Sequence, residues 1–185
     1  MDQVTSVLTL RPWALVTWPA LAMVLGTIVR ALLGSRASRL ALVPRTAAGL
    51  LGILTAPFLH ANAAHLVANL PPFVVLGAAI LRRGQRVFLT ASLTVALASG
   101  LLLWLFGRRG AHMGASGVIF GFFGYLMAVA YLSRSAVDVL VAVAVLVIYG
   151  SMLAGLRPAR ASVSFEGHFF GLVAGIGTAW LEHIA

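Results

Sequence analysis

The chain has 185 residues, 61% of them hydrophobic and 9% charged, with a mean hydropathy of +1.03. A soluble domain carries about 25% charged residues, so this chain cannot clothe a water-facing surface, and its length suits a membrane protein of about five to seven spans of about 20 residues each. Thirteen arginines stand against four acids, giving a net charge of +9, and cysteine is missing, which excludes disulfides, thiolate metal sites and cysteine nucleophiles. The arginines suit contact with anionic lipid headgroups. No basic run interleaves with aromatics, so no nucleic-acid partner is expected.

Residues 1–12 read as a short polar tail. The apolar stretch that follows is too long for a signal-peptide core and lacks a small-residue cleavage site, so the first span is expected to be retained. That span covers 13–33, with Trp13 and Trp18 as interfacial anchors at one end and Arg30 placed to snorkel at the other. A long first loop, 34–60, contains an apolar stretch too short to cross and interrupted by Pro57, and is expected to lie partly sunk in the membrane. Further spans are expected at 64–81, where Pro71-Pro72 should introduce a kink, and at 87–106, 116–132, 137–153 and 167–180. The predicted fold is thus an all-α membrane protein, a single six-helix domain over 1–185, with a loop at 154–166 before the last span. Under an N-terminus-inside arrangement, the arginines lean slightly toward the outer segments, so charge alone does not fix orientation.

Ionisable and amide side chains are costly in a span and mark a functional site by default. Four such positions stand out: His65 and Asn69 early in span two, Ser116 opening span four, and His168 opening span six. Even-numbered spans all start from one side of the membrane, so these residues share side and depth. His65 and Asn69, four apart, share a helix face. The patterns Gly117-x3-Gly121 and Gly171-x3-Gly175 allow close backbone approach, so spans four and six can cross tightly with Ser116 and His168 at the mouth of the contact.

The chemistry follows from these types. A serine hydroxyl becomes a nucleophile when a histidine within hydrogen-bond reach accepts its proton. A carboxylate to orient that histidine is not on offer: Glu166 points elsewhere, and Glu182 lies about 21 Å along the helix. The expected unit is a Ser116–His168 dyad without an acid, with Phe120 packed on the imidazole. His65, the Asn69 amide and the Ser116 N–H are candidate oxyanion donors. Taken singly, each residue has a plainer reading: Ser116 and the glycines as helix packing, Asn69 as a bond to a neighbouring helix, His60 as a tie for the first loop, His112 and His183 as solvated span ends. The shared depth of the four is what favours a site.

His60-x4-His65-x3-Asn69, Gly114-Ala115-Ser116-Gly117 and Gly167-His168-x2-Gly171-x3-Gly175 together resemble the motifs of rhomboid intramembrane serine proteases, over about residues 45–180. The resemblance implies Ser116 as nucleophile, His168 as general base, and His65, Asn69 and the Ser116 amide as oxyanion stabilisers, with His60 shaping the first loop. It implies substrates that are single-span membrane proteins, no metal and no cofactor, a cap at 154–166, and a lateral opening at span five. It also implies a bacterial inner-membrane location with the site toward the outer side. Two features depart from the pattern: the Trp-Arg pair common in the family's first loop is missing, and Pro71-Pro72 follows closely on Asn69. The competing readings are a non-proteolytic relative that binds transmembrane helices, and a haem or ion-conducting protein using His65 and His168.

Overall fold

A computed structural model describes residues 12–157 and 164–184; the predicted tail and the middle of the predicted cap lie outside them. Seven α-helices follow in order: α1 (Ala14–Leu33), α2 (Ala47–Thr55), α3 (Ala63–Leu81), α4 (Gln85–Phe106), α5 (Ser116–Ser133), α6 (Ala136–Tyr149) and α7 (Phe165–Ile184). Short 3-10 turns occupy Gly34–Leu40, Ala56–Phe58 and Gly150–Leu156. Among the described residues the strand-like pairing is a single antiparallel bridge, Leu42 with His112.

Five helical segments are long and apolar enough to cross a membrane: Ala14–Leu40, Ala63–Leu81, Gln85–Phe106, Ser116–Ser133 and Ala136–Leu156. At 20 residues α7 has the length, but Glu166, His168, Glu182 and His183 at its ends lower its mean hydropathy and keep it out of that set. The 9-residue α2 is too short to cross. Side chains cap the starts of three of the helices. The Thr46 hydroxyl accepts the Gly49 N–H (3.1 Å) at α2, and Asn62 Oδ1 accepts the His65 N–H (2.8 Å) at α3. At α7 the Ser164 hydroxyl accepts the Gly167 N–H (3.2 Å). Each cap satisfies a backbone donor that has no partner within its helix.

At Pro71-Pro72, where the sequence predicts a kink, α3 continues as one helix through both prolines. A proline cannot bond the carbonyl four residues back, so the carbonyls of Val67 and Ala68 lose their helical donors. Both residues line a large cavity, where such a loss is tolerated in a membrane helix. Two other boundaries moved. The fifth span leaves α geometry at Tyr149 and runs on as a 3-10 turn through Leu156, so the predicted cap begins inside that turn. The last helix begins at Phe165, which places His168 in its first turn.

Helix α5 is the axis of the bundle, with twelve of its eighteen residues buried. Phe122 and Tyr125 are fully enclosed among Val16 and Met23 of α1, Phe73, Leu76 and Ile80 of α3, and Phe88, Ala91 and Val95 of α4. Outward-facing positions on α1, α4 and α6 carry Leu25, Ile28, Leu93, Leu97, Leu140, Val143 and Val147, all exposed, an apolar perimeter suited to lipid. The closest packing is α5 on α7. A methyl added at Gly171 would overlap the Gly117 carbonyl oxygen, and one at Gly175 would overlap that of Gly121. The two backbones therefore touch directly, as the small-x3-small patterns predict.

Candidate active site

The N-terminal ends of α3, α5 and α7 meet the C-terminal ends of α4 and α6 around a cavity of about 1030 Å³. Ser116, His168, His65, Asn69 and Phe120 all line it. Ser116 is the first residue of α5, so its own N–H and those of Gly117 and Val118 have no helical acceptor and the positive end of the helix faces the site.

His168 is held on two sides. Its ring stacks on Phe120, with centroids 4.2 Å apart and planes 7° from parallel, the contact expected from the sequence. Its Nδ1 lies 2.9 Å from the Gly155 carbonyl oxygen. A carbonyl only accepts, so Nδ1 carries the proton and the lone pair of the neutral ring sits on Nε2.

Asn69 Nδ2 donates to the His65 carbonyl of its own helix at 2.7 Å. An amide nitrogen has a second proton, and Asn69 Oδ1 is buried with no partner among the described residues. The His65 ring packs against Gly114, where a Cβ would come within 2.7 Å of Cε1. Gly114 itself has φ +118°, a conformation that a side chain would strain.

His60 is fully buried behind this wall. Its Nε2 accepts the Ala115 N–H at 3.4 Å, so its Nδ1, 3.2 Å from the Thr27 hydroxyl, is the donor. Thr27 passes its own proton to the Met23 carbonyl (2.7 Å). The chain of bonds ties α1, the first loop and the segment leading to Ser116, and burial pushes the His60 pKa down, favouring the neutral ring this network requires.

Several supports were not foreseen. His112, expected to be solvated, is half-buried and bridges two segments: its Nδ1 is 2.7 Å from the Ser164 hydroxyl and its Nε2 is 2.9 Å from the Arg108 carbonyl. Arg108 pairs with Glu166 through Nε and Nη2 and lies over the Phe165 ring. These contacts fasten the segment before α5 to the start of α7. Pairs so distant in sequence leave no local signal, although a chain with so few acids makes arginine partners for each of them the expected outcome. Arg45 donates to the Leu105 and Gly107 carbonyls (3.0 and 2.9 Å), and Trp104 Nε1 donates to the Thr46 carbonyl (2.9 Å). The first loop is thereby braced against the end of α4 without a Trp-Arg pair of its own.

The described acids are all engaged elsewhere. Glu166 is held by Arg108; Asp138 takes Arg82, Arg83 and Ser133; Glu182 takes Tyr125 and Arg83. The last two lie at the opposite end of the bundle. Among the described residues no cluster of acids, histidines or cysteines is arranged to hold a metal ion.

The arrangement is that of a cavity between the helices, lined by a hydroxyl and an imidazole on adjoining helices among largely apolar surroundings. The family profile described as Rhomboid domain matches residues 47–184. Uncharacterized proteins of Mycobacterium bovis and Mycobacterium tuberculosis are each 36% identical over 163 residues, covering 83% of this chain and 68% of theirs. One from Mycobacterium leprae is 37% identical over 139 residues, covering 70% of this chain and 55% of its own. The chain belongs to the rhomboid family and is a multi-pass integral membrane protein.

Proposed function

We propose that the chain is an intramembrane serine endopeptidase working by a Ser116–His168 dyad, with α7 as its sixth span and the whole chain as one domain. The observation that carries this reading is His168 itself. Its Nδ1 is tied to a carbonyl, its ring is stacked on Phe120, and it lines a cavity that Ser116 also lines.

Ser116 Oγ attacks the scissile carbonyl carbon while His168 Nε2 takes the hydroxyl proton. The tetrahedral oxyanion is met by the Ser116 N–H, the second Asn69 Nδ2 proton and a His65 N–H, at the positive end of α5. His168 then returns the proton to the departing amine, and water from the cavity hydrolyses the acyl-serine by the same relay. The substrates proposed are single-span membrane proteins cut within or beside their helix, because the site sits among spans whose outer faces are apolar. The reaction as written uses no metal or cofactor. Relatives in mycobacteria fit a bacterial inner membrane, with the cavity on the outer side.

The test is labelling of detergent-purified protein by a fluorophosphonate serine probe, wild type beside Ser116→Ala and His168→Ala. Labelling of the wild type alone is the expected result. Equal labelling of Ser116→Ala would overturn the assignment. A folded wild type that neither labels nor cleaves a helical substrate in lipid, yet still binds it, would favour the non-proteolytic relative.

A further inference from the structure

The proposed dyad lacks a carboxylate, and a histidine base left to itself divides its proton between two nitrogens. In Ser-His-Asp enzymes the acid fixes the tautomer and the ring orientation. We propose that the Gly155 carbonyl does this work here: Gly155 is a positioning residue that holds His168 with its proton on Nδ1, leaving Nε2 free to act on Ser116. The inference rests on the endopeptidase reading and adds to it a residue outside the three motifs.

Three observations converge on Gly155. Its carbonyl oxygen lies 2.9 Å from His168 Nδ1. It lacks a side chain where none would fit, since a Cβ would stand 2.9 Å from that same Nδ1 and 3.2 Å from Phe120 Cζ. The 3-10 turn Gly150–Leu156 that carries it continues directly from α6, so the acceptor is delivered by a regular segment. The three described acids are occupied by arginines, two of them at the far end of the bundle, so the backbone carbonyl is the acceptor His168 has. Sequence offered no sign of this, because a single glycine in a loop carries no periodicity or spacing.

A backbone carbonyl is tested by weakening it as an acceptor. Replacing Leu156 by its α-hydroxy analogue turns the 155–156 peptide link into an ester, whose carbonyl accepts hydrogen bonds less well. The control is the hydroxy analogue of Ala154, which weakens the Leu153 carbonyl instead. Two readouts are taken on the full chain in detergent. The first is the ¹⁵N spectrum of the His168 ring, assigned against His168→Ala. The second is the rate of fluorophosphonate labelling.

The native protein is expected to show the Nδ1–H tautomer. The 156 ester is expected to show a mixture and a labelling rate about three- to tenfold lower, the span of one hydrogen bond's net worth. The 154 ester should match the native protein. Gly155→Ala should lose about tenfold or more in rate while Gly150→Ala, whose added methyl meets the flexible end of Leu146, should not. An Nε2–H tautomer in the native protein, or an unchanged tautomer and rate in the 156 ester, would overturn the inference. A native protein that shows the expected tautomers yet neither labels nor cleaves a helical substrate in lipid would sink the endopeptidase reading and leave Gly155 as the residue that positions the ring.

Discussion

The two ends of the helix bundle solve the problem of polar groups in a membrane protein in opposite ways. At the end where α3, α5 and α7 finish, Arg82, Arg83, Asp138, Ser133, Tyr125 and Glu182 form one interlocked set, with Arg83 Nη1 2.9 Å from Asp138 and Nη2 3.3 Å from Glu182. Charge is answered by charge, with each carboxylate of the set held by an arginine. At the other end, Arg108 is paired with Glu166, but the polar groups lining the cavity also include His65, Asn69, Ser116 and His168. Among the described residues, Ser116 Oγ, His168 Nε2 and the His65 ring nitrogens have no protein hydrogen-bond partner. A closed network maintains structure; open valences around a cavity are what a reaction needs. Polarity inside a membrane therefore marks function only where the hydrogen-bonding capacity is left unspent.

That contrast can be broken by mutation, and the largest effects belong at the open end. Ser116→Ala or His168→Ala should lower fluorophosphonate labelling or substrate cleavage by at least about 10³-fold, with no change in the melting midpoint beyond a degree or two. His65→Ala, which removes one proposed oxyanion donor, should cost about 10²-fold in cleavage rate; an unaltered rate would remove His65 from the proposed machinery. A steric variant distinguishes the site from the packing beneath it. Gly175→Leu places a side chain into the Gly121 carbonyl and should destabilise the protein by about 3 kcal/mol, read by thermal unfolding, with activity lost because α7 no longer seats.

At the closed end the expectation reverses. Asp138→Ala leaves Arg82 and Arg83, which are only partly exposed, without their shared carboxylate and should cost about 1–2 kcal/mol. Cleavage per folded molecule should stay within twofold of wild type; a large loss of rate in a stably folded variant would mean that the two ends are coupled. The smallest effect is one of pH. Burial holds the folded-state pKa of His60 below its ordinary value of about 6.5, so below that pH the unfolded chain binds more protons than the folded one. The His60 contribution to stability is complete above about pH 6.5 and is lost progressively on acidification toward its folded-state pKa of about 4. Melting curves across that window should flatten in His60→Gln, and equal slopes in the two proteins would refute the assignment.

Much of the fold was legible because a membrane helix is announced by length and hydropathy, with few competing signals. The spans at 64–81, 87–106 and 116–132 fall within two residues of α3, α4 and α5 at each end. The Gly117/Gly121 and Gly171/Gly175 patterns were readable because backbone approach demands small residues at a fixed spacing. Phe120 was readable for a related reason, standing one helical turn from Ser116. What stayed hidden depends on tertiary meetings between distant segments: Gly155 under His168, His112 on Ser164, Arg108 on Glu166, Thr27 on His60. Helix α3 runs unbroken through Pro71-Pro72, and the residues whose carbonyls lose their helical donors there, Val67 and Ala68, line the cavity.

The direct seating of α7 on α5 has a consequence for biogenesis. The ribosome releases the chain from its N-terminus, so α5, with Ser116 at its tip, reaches the membrane while the groove formed by Gly117 and Gly121 is still unfilled. His168 arrives only with the final helix described. A nascent chain paused before that point would hold Ser116 without His168, and would leave bare a glycine face able to receive another helix. The cavity would thus be completed in a single late step, when Gly171 and Gly175 come to rest on the Gly117 and Gly121 carbonyls.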